Sequence, residues 1–197
     1  MRFWSTIFIC ALALPTLALA QSGSRDEVKA LLLRTSLQFE ASIKDVTERQ
    51  WNYRAANEKH TIGSLAEHTA ISANDLQTMV QKALDAGAQP ELAETLSGQV
   101  AVVRDVMLSV EQPPDNFRPA GRLLTKDDIH EYFPQVKGKA LALLAAASDP
   151  EIHIYRHPSR RIGNLTAIQW FYYIAYLVQA HTEHIERIKA DPGYPNS

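Results

Sequence analysis

A single cysteine, Cys10, stands in the 197-residue chain, inside an apolar stretch at the N-terminus. If that stretch is cut away no thiol remains. A disulfide, a catalytic cysteine and a thiolate metal ligand are then excluded, and any metal would fall to His, Asp and Glu. Glycine is scarce, at 8 residues, while alanine and leucine dominate, the balance expected of helices. An unbroken apolar run of the ~20 residues that a membrane-spanning helix needs is missing as well. The most apolar stretch, MRFWSTIFICALALPTLALA, is interrupted by Thr6 and Pro15. Nor is there a basic excess: 20 Lys and Arg face 22 Asp and Glu, a formal net charge of −2. The chain therefore carries no electrostatic footprint for nucleic acid.

What is present begins with that first stretch. Arg2 followed by an apolar run and then Ala18-Leu19-Ala20 has the form of an export signal cut before Gln21. Residues 1–20 are thus expected to be a signal peptide and 21–197 one mature domain, exported to the periplasm or secreted, with no membrane association after signal removal. Losing Arg2 leaves 19 Lys and Arg against 22 Asp and Glu, a net of −3. The remaining length suits a single core.

Helical periodicity accounts for nearly all of it, and no segment alternates convincingly as a strand. Val28, Leu31, Leu32, Phe39 and Ile43 line one side of a helix from about Arg25 to Ile43. Thr47-x-x-Gln50 has capping-box spacing and opens a short turn with Trp51 and Tyr53. A long helix follows Thr61 and stops near Ala86, before Gly87; another segment runs from about Glu91 to Val110. The prolines of EQPPDNFRPAGRL interrupt helix there. Thr125-x-x-Asp128 starts a helix ending near Ser148, with Pro134 predicting a kink or a later true start, and Thr166-x-x-Gln169 caps the last helix, which reaches about Ala190. The expected fold is all-α: an antiparallel four-helix bundle, with 91–110 as an added helix or part of a long crossover.

The last helix carries the chemistry. In AHTEHIERI, residues 180–188, His181 and His184 lie one turn apart. At about 100° per residue, Trp170, Tyr173, Leu177, His181, His184 and Ile188 share one stripe, so both imidazoles continue an apolar seam. Unsatisfied buried polar groups cost roughly 1–3 kcal/mol, and two on one seam ask for a common partner. On the helix after Thr61, His68 points inward beside Leu65, Ser72, Met79 and Ala83. If the two helices are antiparallel neighbours, the heights of His68 and the pair agree within a turn. Three imidazoles could then hold a divalent ion at ~2.0–2.1 Å with positions left open for chemistry. The bland reading makes His184 a solvated or capping residue near a helix C-terminus. His60, His130, His153 and His157 read as solvated. Glu67, Glu183 and Glu186 read as surface charges, with orienting the ring N–H groups of the ligands as the alternative, and Asp75 as an inner-face carboxylate too far from His68 for contact. The arginines of YRHPSRRIGN are assigned no part in the chemistry.

Taken together, ERQWNYRAANEKHTIGSLAEHTAIS, PPDNFRPAGRLLTKDDIHEYF and IQWFYYIAYLVQAHTEHIERI resemble the DinB-like (DinB/YfiT-like) metalloenzyme family, in order and spacing, over nearly the whole mature chain. The resemblance implies a four-helix bundle holding a divalent metal ion, zinc or nickel, through three histidines. By position these are His68, His181 and His184. Many members space the last two four apart, HxxxH, whereas here they are three apart; both spacings share a helix face. Relatives catalyse thiol transfer with bacillithiol, mycothiol or glutathione, or maleylpyruvate isomerisation. The expectation is an exported metal-dependent enzyme, a hydrolase or thiol-type transferase, acting on a small-molecule substrate. The alternative is a non-catalytic exported binding or stress module, a homodimer among its forms, with a structural metal or none.

Overall fold

The computed structural model describes residues 23–87, 100–108, 121, 123, 125–149, 151, 156–159 and 162–196. The expected signal peptide, residues 88–99 and His153 lie outside them. Six helices appear among the described residues: α1 (Arg25–Lys44), α2 (Glu48–Trp51), α3 (Ile62–Ala86), α4 (Val100–Leu108), α5 (Lys126–Ala146) and α6 (Ala167–Lys189). A two-stranded hairpin, β1 (Arg156–Ser159) with β2 (Gly163–Thr166), completes the set.

Helix starts follow from local chemistry. Ser24 with Glu27, Thr47 with Gln50, Thr61 with Ser64, Thr125 with Asp128 and Thr166 with Gln169 each close a reciprocal capping box. In each, a short hydroxyl accepts from the N3 amide while the N3 side chain accepts from the cap amide, so two otherwise orphaned donors are satisfied. Gly87, at φ +68°, ends α3 in a backbone region that glycine enters without steric cost. α5 begins at Lys126 and continues through Pro134, so the later start is not observed. Pro134 is exposed, where water can serve the carbonyl its missing N–H leaves unpaired.

Helix α6 is the centre of the molecule. It packs against α1, α3 and α4, and more lightly against α5. Every residue from Ala167 to Ala175 is buried, as expected of a helix surrounded on all sides. The facing helices bring their own apolar stripes; Phe39 of α1 and Phe133 of α5 meet at 4.5 Å between ring centroids. Each such buried side chain contributes roughly 1.5–3 kcal/mol of transfer free energy.

Cross-helix bonds fix the directions. Arg25 Nη2 donates to Ala147 O at 2.6 Å, and Lys126 Nζ to Lys44 O at 3.1 Å, so α1 and α5 run oppositely. Leu123 N donates to Glu67 Oε1 at 3.3 Å, and Gln77 Nε2 to Val136 O at 2.9 Å, so α3 and α5 run the same way. Tyr172 OH donates to Glu27 Oε2 at 3.5 Å near the starts of α6 and α1, which are parallel. The uniformly antiparallel arrangement expected from the sequence is thus corrected. The α3 to α5 connection spans the long stretch 87–125, enough chain to return to the first end and start again in the same direction.

The hairpin is a second correction, since the sequence shows no convincing strand. Arg156 pairs with Thr166 and Ser159 with Gly163, antiparallel. Gly163, at φ +93°, takes the backbone conformation the turn requires. Within β2, Leu165 and Thr166 are buried, and Thr166 is at once the last strand residue and the N-cap of α6. Among the described residues no helix is long and apolar enough to cross a membrane.

Candidate functional site

His68 comes from the second turn of α3, and His181 and His184 from the later turns of α6. All three are buried, at 7%, 8% and 3% exposure. The rings of His68 and His181 meet across the helix interface with centroids 4.8 Å apart, inclined at 65°. The convergence of those two positions, read from two helical wheels, is therefore present.

His181 is set up by its own helix. Its Nδ1 lies 2.8 Å from Leu177 O, one turn back. A carbonyl only accepts, so Nδ1 carries the proton and Nε2 presents a lone pair. Burial pushes the imidazole pKa down to about 3, and the charge of His68 adds to that push. The Leu177 carbonyl opposes it, and the charges of His184 and His60 lower it further. His181 is thus a neutral, fixed-tautomer imidazole at physiological pH, the state a metal ligand requires. His68 Nδ1 lies 3.4 Å from Ser72 Oγ, again one turn along its own helix.

His184 is engaged differently. Its Nε2 lies 2.7 Å from Glu58 Oε2, in the loop between α2 and α3. That loop is clasped to the end of the chain. Tyr53 OH donates to Asp191 Oδ1 at 2.5 Å, the Tyr53 and Tyr194 rings meet edge to face at 5.6 Å, and Gln50 Nε2 donates to Pro195 O at 2.9 Å. Within the loop, Glu58 N donates to Ala55 O at 3.0 Å.

Two contacts thus join these donors, His68 with His181 and Glu58 with His184. Among the described residues no group of three or more His, Cys, Asp or Glu side chains is placed to hold a metal ion. The donor chemistry nonetheless fits a borderline-soft divalent ion, with buried imidazoles, one of fixed tautomer, and a carboxylate at the edge.

Other residues fall where the sequence did not put them. His60, read as solvated, is half-buried and close enough to His181 for its charge to depress that pKa. Glu67, read as a surface charge, is 3% exposed, with Oε1 accepting from Leu123 N. Asp75, read as an inner-face carboxylate, is exposed; Glu183 and Glu186 are exposed as expected. His130 is half-buried on α5, while the side chain of His157 lies outside the described residues. An open groove of about 730 Å³ runs between α1 and α6, lined by residues including Gln38, Ser42, Thr182, Glu183 and Arg187. None of the imidazoles lines it.

A mostly helical chain built around one buried helix, with imidazoles from two helices meeting at their interface, defines the class. The chain belongs to the DinB superfamily, whose family model matches residues 31–185, from α1 to just beyond His184. No curated protein and no solved structure matches significantly.

Proposed function

We propose that this chain is an exported, metal-dependent enzyme, a hydrolase or thiol-type transferase. In this reading residues 1–20 are its removed signal, and a four-helix bundle holds one divalent ion, zinc or nickel, through His68, His181 and His184. The observation that carries the reading is the 4.8 Å approach of the His68 and His181 rings between α3 and α6. Membership of the DinB superfamily supports it.

Each residue has a role that follows from its surroundings. The Leu177 carbonyl holds the His181 ring in orientation and directs its Nε2 away from its own helix. Ser72 steadies the His68 ring from the same side of α3. Burial of all three imidazoles excludes bulk water and keeps the site's dielectric low. His184 joins the set by exchanging its Glu58 contact for the ion. When bound, the ion would supply Lewis acidity to a water or thiol at a position the protein leaves open.

Elemental analysis of untagged protein tests the reading. About one zinc or nickel per chain is expected, lost in the His68→Ala/His181→Ala/His184→Ala triple variant together with any turnover on ester or thiol-transfer panels. Absence of binding after incubation with equimolar zinc or nickel overturns it.

The Glu58–His184 pair favours a second reading, a non-catalytic exported module, monomer or homodimer, with a structural metal or none, because it satisfies His184 within the chain. Large thermal destabilisation by chelator without turnover on any panel supports that alternative.

A further inference from the structure

The carboxylate that touches the imidazole cluster is supplied by neither α3 nor α6. Glu58 sits in the loop before α3, with its side chain 22% exposed against 4% for His184. We propose that Glu58 is a fourth donor to the ion, a carboxylate arm delivered from that loop. The proposal rests on the three-histidine reading above.

Geometry comes first. An imidazole nitrogen has one in-plane direction for bonding, and on Nε2 of His184 that direction is taken by Glu58 Oε2 at 2.7 Å. An ion on the same nitrogen, at ~2.0–2.1 Å, must move the oxygen aside. It then meets that oxygen as an anion already within about a bond length. Carboxylate oxygen binds zinc at ~2.0–2.2 Å, so a small swing converts an imidazole partner into a ligand. The partial exposure of Glu58 leaves room for such a swing, whereas the buried His184 ring is held by its packing.

Charge comes second. Three neutral imidazoles leave both charges of a divalent ion uncompensated at a site where every imidazole is less than a tenth exposed. An uncompensated buried charge is costly, and one carboxylate halves it. Among the carboxylates near the histidines in sequence or space, Glu183, Glu186 and Asp75 are exposed, and Glu67 faces Leu123 N. Glu58 is in hydrogen-bond contact with an imidazole of the set, at 2.7 Å from His184 Nε2.

Delivery comes third. A loop is a poor source of a precisely placed ligand unless something holds it. Here the Tyr53–Asp191 and Gln50–Pro195 bonds tie the same loop region to the residues just after α6, the helix that carries His184. Glu58 is therefore presented from a clasped segment.

Chelator competition with zinc, on full-length wild type, Glu58→Gln and Glu58→Ala, tests the proposal, together with the visible spectrum of the cobalt-loaded forms. Gln keeps an acceptor for His184 and removes the charge, so it separates ligation from mere tethering. Both variants should bind zinc about 10–100-fold more weakly than wild type, and the cobalt band of Glu58→Gln should change in intensity and position. Glu58→Asp, which keeps the charge on a shorter arm, should fall between, and it serves if either other variant fails to fold. Wild-type affinity and spectrum in Glu58→Gln, or tighter binding, overturn the fourth-donor proposal while leaving the three-histidine site standing. Failure of wild type to bind zinc or cobalt overturns both.

Discussion

Two glycines show how far a single hydrogen in place of a methyl group matters here. A Cβ on Gly63 would collide with the indole of Trp51, at Nε1, Cε2 and Cδ1, whereas one on Gly138 meets nothing within 4 Å. Gly63→Ala should therefore destabilise by about 1–3 kcal/mol through overpacking. Gly138→Ala, in the exposed middle of α5, should stabilise by about 0.5–1 kcal/mol by restricting the unfolded chain. Urea denaturation of the two variants checks both signs. At this scale the sequence reveals residues whose environment is set by their own helix. His68 and His181 each continue the inward stripe of their own helix, beside Leu65 and Leu177 respectively, and both are buried. Glu58 and His60 are not legible in the same way, because a partner 126 residues distant gives Glu58 its meaning. Glu67 is misread for a related reason, since it is buried by the approach of Leu123 from another part of the chain.

Among the elements, the capping boxes are the most legible feature, because each is closed between residues three apart and needs no tertiary partner. Thr166 has a further duty, ending β2 as well as starting α6, and it is 4% exposed. Thr166→Ala is expected to cost about 1–2 kcal/mol, and Thr47→Ala, at the exposed start of the short α2, about 0.5 kcal/mol; thermal or urea unfolding separates the two. The hairpin escapes a sequence reading because strands of this kind have no signature of their own. Each has four residues, one contains Pro158, and pairing with the other is what makes them strands. The continuation of α5 through Pro134 is equally a matter of surroundings, since an exposed position tolerates the unpaired carbonyl that a buried one would not.

For the whole molecule, helix direction is where the antiparallel expectation fails. Nothing in the α3 or α5 sequence states that the two run the same way, and only the Glu67–Leu123 and Gln77–Val136 contacts decide it. The clasp between the loop after α2 and the chain after α6 belongs to this scale too. The Tyr53 hydroxyl, aided by Gly193 N–H, holds the Asp191 carboxyl below the usual carboxylate range; the Tyr53 phenol is itself raised, chiefly by that bond. The clasp's contribution is then present at neutral pH. It is lost as pH falls through the lowered Asp191 value, or rises beyond the raised tyrosine value, above about 10. In Tyr53→Phe the Asp191 titration, followed by carboxyl carbon NMR, should move back up toward the ordinary range. Amide exchange in residues 52–60 should accelerate while that of α5 is unchanged; unaltered exchange in the loop would mean that the clasp does not hold it.

Because Pro195 is bonded to Gln50 and Asp191 to Tyr53, the stretch just after α6 runs beside the loop that carries Glu58. An oligohistidine tag joined close behind Pro195 would bring surplus imidazoles to the doorstep of Glu58 and His184 and would confound any count of bound metal. A purification handle free of histidine avoids that confusion.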